Sequence, residues 1–298
     1  MVKVKEMNAG IDGCGGIHTV TPLQPGYPRL LHLIPDPPPL LYYTGDLSLA
    51  SGLCAAVVGA RKATEYGRWV ALQLGRRLAE HGVTVVSGMA AGVDTAGHRG
   101  ALGAGGKTIA VLGCGLDVCY PRSNRRLKAE IEGSGLILSE YPPGSQPLPY
   151  AFPARNRIIS GLCPLTVVVE AGPRSGSLIT AERAAEQGRE IYAVPGNITS
   201  PGSMGANRLI ADGAVPLVVI VAILDGLGLS RVDTELVKSR LAVDEREVYA
   251  QVEKGGEVTV DQIARRLEKP VEIVAGIVTV LEMKGAVYDS LGKIFLVK

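Results

Sequence analysis

Aromatic side chains are scarce. They make up 4% of the 298 residues, with one Trp and two Phe. The core is therefore expected to be aliphatic, drawn from the 46% of residues that are hydrophobic. Charge bias is also slight: 31 Lys plus Arg stand against 29 Asp plus Glu, a formal net charge of +2. This excludes a polycation that coats nucleic acid through bulk charge, so any such contact has to be a local basic site. The five Cys form no C-x-x-C pair, which argues against a disulfide framework or zinc knuckle and for a reducing compartment. The four His are scattered, and no metal site is expected. The longest apolar run, residues 214–224, falls short of the ~20 residues of a membrane span. Residues 1–10 hold no apolar segment of the signal-peptide kind. A cytoplasmic protein without membrane association is expected. There is no G-x-x-x-x-G-K-[ST] run, which argues against a P-loop NTPase.

At about 150 residues per domain, the length predicts roughly two domains. Residues 1–22 are Gly-rich and aperiodic and are expected to be disordered. Residues 23–50 are Pro-restrained, with Pro37-Pro38-Pro39 feeding a short strand at Leu40-Leu41-Tyr42-Tyr43. From there to residue 227, short Val- and Ile-rich runs at 53–58, 83–86, 108–112, 136–138, 165–169, 191–194 and 214–218 alternate with helical patterns. Continuous apolar runs of this length suit strands buried on both faces. In residues 64–81, Tyr66, Val70, Leu74 and Leu78 recur every four positions, with Thr64 placed to cap and Gly82 to stop the helix. The pattern predicts an α/β fold, an extended Rossmann-like parallel sheet over residues 23–227. A polar linker is expected at 228–240. Helical patterns at 244–252, 259–267 and 270–284, then a hairpin, predict a small C-terminal winged helix over 241–298.

In such a sheet ligands bind beyond the carboxyl ends of the strands. The loops there read Gly59-Ala60-Arg61, Ser87-Gly88-Met89-Ala90-Ala91-Gly92, Gly113-Cys114-Gly115, Gly172-Pro173-Arg174-Ser175-Gly176-Ser177 and Pro195-Gly196-Asn197. Gly brings backbone N–H groups close to a ligand, and each following helix turns its positive end to the same place. With Arg61, Arg122, Arg155, Arg157 and Arg174 nearby, the rim reads as a phosphate cradle. Gly113-x-Gly115 only partly matches a dinucleotide fingerprint, since Val118 replaces the third Gly and Pro121 interrupts the helix. Asp94 and His98 share a helical face and could coordinate a metal or relay a proton, but a capping Asp and a buried His account for them better.

Phe152-Pro153-Ala154-Arg155-Asn156-Arg157 is more informative. An aromatic face stacks on an unpaired base and Arg neutralises phosphate. Arg at a helix start opposes the dipole, a conflict resolved if the pair awaits an anion.

These residues form a set. Val57–Arg61, Val85–Gly88, Gly92–His98, Gly113–Asp117 with Tyr120-Pro121, Phe152–Arg157, Arg174–Thr180 and Asn207-Arg208-Leu209-Ile210 together resemble the DprA/Smf family of DNA-processing proteins, and Tyr27-Pro28 and Pro37–Tyr42 resemble its entry segment. The resemblance covers residues 23–227. It implies an extended Rossmann-like domain that binds single-stranded DNA, forms a homodimer and loads the RecA recombinase during natural transformation, with no catalytic activity, catalytic residue or cofactor. Carried over by position, it implies DNA contacts at Gly59, Arg61, Ser87, Gly88, Arg122, Phe152, Arg155, Asn156, Arg157, Ser175, Gly176, Ser177 and Asn207. Ala60 departs from the family's usual Ser, and Ala91 stands where Arg or Lys is common. The family's N-terminal helical domain is not expected within residues 1–22.

Residues 231–298 carry 11 Lys plus Arg against 12 Asp plus Glu, a net −1. The helix that would enter a major groove, 270–284, is Val- and Ile-rich with Lys284 its one cation after Pro270. The winged helix is therefore expected to bind duplex DNA weakly and to serve a protein contact or self-regulation. Two alternatives stay open. One is a phosphoribohydrolase-like nucleotide enzyme with Glu182 as its carboxylate. The other is NAD binding through Gly113 and Gly115.

Overall fold

The apolar runs become neighbouring strands in the computed structural model, which describes residues 16–229, 237–290 and 292–296. The chain divides into two units, one ending at Leu227 and the other starting at Gly228. The first carries strands β1 (His18–Val20), β2 (Leu41–Gly45), β3 (Cys54–Val58), β4 (Thr84–Ser87), β5 (Thr108–Leu112), β6 (Leu136–Ser139), β7 (Leu165–Val168), β8 (Glu190–Ala193) and β9 (Val215–Pro216). They form one nine-stranded sheet in the order β1-β2-β6-β5-β4-β3-β7-β8-β9. From β6 to β9 every pairing is parallel, while β2 runs antiparallel to β6 and β1 antiparallel to β2. All residues of β3 to β7 are buried, as strands covered on both faces require.

Helices α1 (Arg29–His32), α2 (Glu65–Glu80), α3 (Val93–Gly103), α4 (Arg125–Ser134), α5 (Ala151–Gly161), α6 (Gly176–Glu186), α7 (Met204–Ala211) and α8 (Ala222–Gly226) connect or flank the strands. The chain steps from β3 outward through β4, β5 and β6, then returns across α5 to β7 on the other side of β3. The reversal makes the β3–β7 boundary the switch point, where the loops after the two strands diverge. Helix α2 starts at Thr64, whose Oγ1 accepts from Gly67 N–H at 3.1 Å. Val70, Leu74 and Leu78 are buried, but Tyr66 is 56% exposed, because a four-residue spacing drifts round a helix of 3.6 residues per turn. Helices α2 and α3 touch backbone to backbone: a Cβ on Gly75 would lie 2.2 Å from the Gly97 carbonyl oxygen.

Two expectations need correction. Disorder over 1–22 fails for residues 18–20, which pair with β2 and bury Val20; residues 1–15 lie outside the described residues. A three-residue strand is too short to register as a periodic pattern. The polar stretch expected at 228–240 is helical at 237–240, with Leu241 buried just beyond; residues 230–236 lie outside the described residues.

The second unit holds α9 (Val243–Gly255), α10 (Val260–Leu267), α11 (Val271–Met283) and an antiparallel hairpin, β10 (Val287–Ser290) with β11 (Lys293–Leu296). This is the element order of a winged helix. Thr259 and Gln262 cap α10 reciprocally, each side chain accepting from the other's backbone N–H. Val248, Val252, Ile263, Val274, Leu281 and Ile294 form its own aliphatic core.

Candidate functional site

Beyond the carboxyl ends of β3 and β7 lies an open crevice of about 810 Å³. Its walls are residues 59–62 after β3, residues 172–177 running into α6, and the first turns of α5. Arg61 places its guanidinium carbon 5.2 Å from the centre of the Phe152 ring, within cation–π range. Phe152 in turn lies against Tyr120, with ring centres 5.3 Å apart. Gly113 makes room for the ring, since a Cβ there would lie 3.0 Å from Phe152 Cδ1. Arg61, Lys62 and Arg174 are exposed, and none forms an ion pair among the described residues. Their charges face solvent beside an aromatic surface.

The backbone adds to this field. Helix α6 begins in the crevice wall without a side-chain cap; Ser175 and Ser177 instead bond to each other, Oγ to Oγ, at 2.8 Å. The first N–H groups of a helix lack intrahelical partners and carry partial positive charge. Asn156 holds this turn in place by donating from Nδ2 to the Gly176 carbonyl at 3.2 Å. The start of α2 is occupied differently: Glu170, just beyond β7, accepts from Thr64 N–H at 2.9 Å. Glu170 is 6% exposed, and no motif in the sequence marks it. Its signal was an acid directly after an apolar run.

Beneath the crevice Arg155 is buried, 4% exposed. It donates from Nη1 to the Gly88 carbonyl at 3.1 Å and to the Val111 carbonyl. Asp94 Oδ2 accepts from the N–H groups of Gly88 and Ala90, each at 3.2 Å. A Cβ on Gly88 would lie 2.6 Å from Arg155 Nη2 and 2.9 Å from Asp94 Oδ2, so only glycine fits between them. Burial pushes the Asp94 carboxyl up and draws Arg155 down to about 10, while each group favours the charged form of the other. Arg155 therefore stays protonated at neutral pH.

The remaining expected contacts lie elsewhere. Ser87 is fully buried and donates to the Val57 carbonyl at 2.6 Å, tying β4 to β3. Gly88 belongs to the Asp94–Arg155 cluster. Arg157 turns away, into ion pairs with Glu140 at 2.7 Å and Asp36 at 3.0 Å. The picture of two arginines both awaiting an anion is thus corrected: one is buried against carbonyls and the other is paired with acids. Arg122 is exposed at the start of a short turn outside the crevice walls. Asn207 clamps the loop after β8, accepting from Gly196 N–H at 3.0 Å and donating to its carbonyl at 2.9 Å.

His98 is fully buried beside Thr108. The Thr108 hydroxyl donates to the Val85 carbonyl at 2.7 Å, so at 2.6 Å it accepts from His98 Nδ1. Burial, with Arg155 adding to it, draws His98 down to about 3, so the ring is neutral. Among the described residues no group of three or more His, Cys, Asp or Glu is placed to hold a metal. Glu182 lines a separate hollow with Arg189 and Glu190, away from the switch point. Gly115 is closed off by its N–H bond to the Ser145 carbonyl at 2.9 Å. No described helix is long and apolar enough to cross a membrane.

Fold and crevice define a Rossmann-like α/β protein with an aromatic-faced, cationic opening at its switch point. A family model described as DNA recombination-mediator protein A matches residues 18–228, and the chain belongs to this DprA/Smf family of DNA-processing proteins. It is 51% identical over 188 residues to the DNA processing protein DprA of Streptococcus pneumoniae, covering 63% of this chain and 66% of that protein. It is 42% identical over 269 residues to the Smf protein of Escherichia coli, covering 87% of this chain and 72% of that one. The X-ray structure of the pneumococcal protein superposes with a TM-score of 0.67 at 46% identity, over 70% of this chain and 74% of that one. A Helicobacter pylori DNA processing protein A structure, described for its single-stranded DNA binding mode, gives 0.65 at 32% identity, over 71% of this chain and 95% of that one.

Proposed function

We propose that this protein binds single-stranded DNA in the switch-point crevice. Arg61, Lys62 and Arg174 and the open turn at Ser175, Gly176 and Ser177 take the phosphates, and Phe152 takes a base. The observation that carries this reading is the pairing of unneutralised cations with a half-buried aromatic ring in one open groove. Bases of any sequence have a face to stack, and phosphates recur along the strand, so the arrangement suits an unpaired strand without sequence preference. The Helicobacter relative supports it.

The further roles are protection of incoming DNA and delivery to the RecA recombinase during natural transformation, by a homodimer that catalyses no reaction itself. They rest on the family resemblance. Val218 is 75% exposed and Val219 51% exposed beside the edge strand β9, an apolar surface suited to self-association. The second unit contributes little duplex affinity in this reading: α11 exposes Ile273 and Met283, and Lys284 is paired with Glu245 at 2.7 Å.

Oligonucleotide binding across a salt series tests the reading. An oligothymidylate is expected to bind more tightly than a duplex of equal length, with affinity falling steeply as salt rises. Equal or tighter duplex binding contradicts it.

A further inference from the structure

We infer that Arg155 is a positioning residue: it neutralises Asp94 beneath the crevice and fixes the loop after β4, and it does not itself contact phosphate. The inference rests on the single-strand reading of the crevice and assigns the conspicuous arginine of the Phe152–Arg157 segment a different task from Arg61.

Three observations carry it. First, the guanidinium is engaged. Arg155 is 4% exposed and donates to the carbonyls of Gly88 and Val111, with Nε also 3.4 Å from Asn156 Oδ1. A phosphate drawing on Nη1 would have to displace these buried backbone bonds, and Nη2 lies on the Asp94 side of Gly88. Second, an acid lies beside it: Asp94 is 7% exposed and borders the crevice next to Arg155. Arg155 and Asp94 flank the same face of Gly88 within 3 Å of a common point, so each offsets the other's charge. Third, the loop between them is fastened at each step. Asp94 takes the Gly88 and Ala90 N–H groups, Asn124 donates to the Met89 carbonyl at 2.9 Å, and Thr95 donates from Oγ1 to the Ala90 carbonyl at 2.7 Å. Met89 sits at φ +57, a strained conformation for a side chain of its size, and the surrounding bonds hold it there. Gly92 closes the loop against the strand-β3 loop, where a Cβ would lie 2.3 Å from the Ala60 carbonyl oxygen. The Arg155–Asp94 pair thus sets the shape of the loop that abuts the residues carrying Arg61.

The test compares oligothymidylate binding by the full chain and by Arg61→Ala, Arg155→Gln and Asp94→Asn/Arg155→Gln, each across a salt series. A residue that contacts a phosphate of a single strand contributes about 0.7 to the slope of log affinity against log salt. Arg61→Ala is expected to lower the slope by about that amount. Arg155→Gln, which removes the charge beside Asp94 and the donor to the Gly88 and Val111 carbonyls and so loosens the loop, is expected to weaken binding about tenfold or more with the slope kept. The double variant, which removes both charges and keeps amide hydrogen bonding at both positions, is expected to recover most of that loss at the unchanged slope. A double variant whose slope falls by about 0.7 makes Arg155 a phosphate contact and overturns the inference. A double variant no tighter than a folded Arg155→Gln also overturns it. Should Arg155→Gln fail to fold, the slope of the double variant against the unaltered chain decides. Absence of oligothymidylate binding by the unaltered chain overturns the single-strand reading itself, a result distinct from either of these.

Discussion

The guanidinium of Arg61 lies 5.2 Å from the centre of the Phe152 ring, on the side of the crevice open to solvent. The two residues come from opposite margins of the switch point, one after β3 and one in α5, and they present charge and π-surface together. Replacing Phe152 by Ala is expected to weaken oligothymidylate binding by about 1–3 kcal/mol, the contribution of one stacked base, while Phe152→Trp retains affinity. Fluorescence anisotropy with a labelled oligothymidylate checks both; an unaffected Phe152→Ala contradicts the stacking role.

Arg157 is expected to matter for stability and not for phosphate. Its side chain is 12% exposed and bridges Glu140 in the strand-β6 loop to Asp36 in the Pro-rich entry segment. Arg157→Met leaves Glu140, itself 22% exposed, without its partner. A loss of about 1–3 kcal/mol is expected in urea unfolding, with the salt slope of DNA binding unchanged. Unaltered stability with a reduced slope would place Arg157 on the DNA instead.

His98 is expected to make the first unit sensitive to acid. Its folded pKa, drawn down to about 3, lies below the ordinary value of 6.5, so the unfolded chain binds the proton more readily. Its contribution is fully present above about pH 6.5 and is lost as pH falls toward 3. Between pH 7.5 and 5 this amounts to about 2 kcal/mol, absent in His98→Gln, whose amide still reaches Thr108. Urea unfolding of both proteins at the two pH values measures it; equal pH dependence contradicts the assignment.

Much of this architecture is legible in the residues alone, for a physical reason. Strands β3 to β7 are covered on both faces, so their runs are continuously apolar and stand out. Strand β1 escapes because His18–Val20 is brief and half its character comes from pairing with β2. The switch-point loops are legible as glycine clusters, and Arg61 and Phe152 do meet there. The fates of Arg155 and Arg157 are not legible. Two residues apart on a helix, they point about 200° apart, and what each meets, Asp94 and the Gly88 carbonyl or Glu140 and Asp36, comes from distant parts of the chain. The same holds for Glu170, whose partner Thr64 lies in another loop. One sequence gives residue types near a site but not which charges cancel each other within it.

The most direct test of the account is a crystal structure of the protein grown with an oligothymidylate. The account predicts the strand lying across the switch point, with phosphates within hydrogen-bond distance of Arg61 and the first N–H groups of α6 and a thymine face on Phe152. A strand bound on another surface, with these residues free, would contradict it.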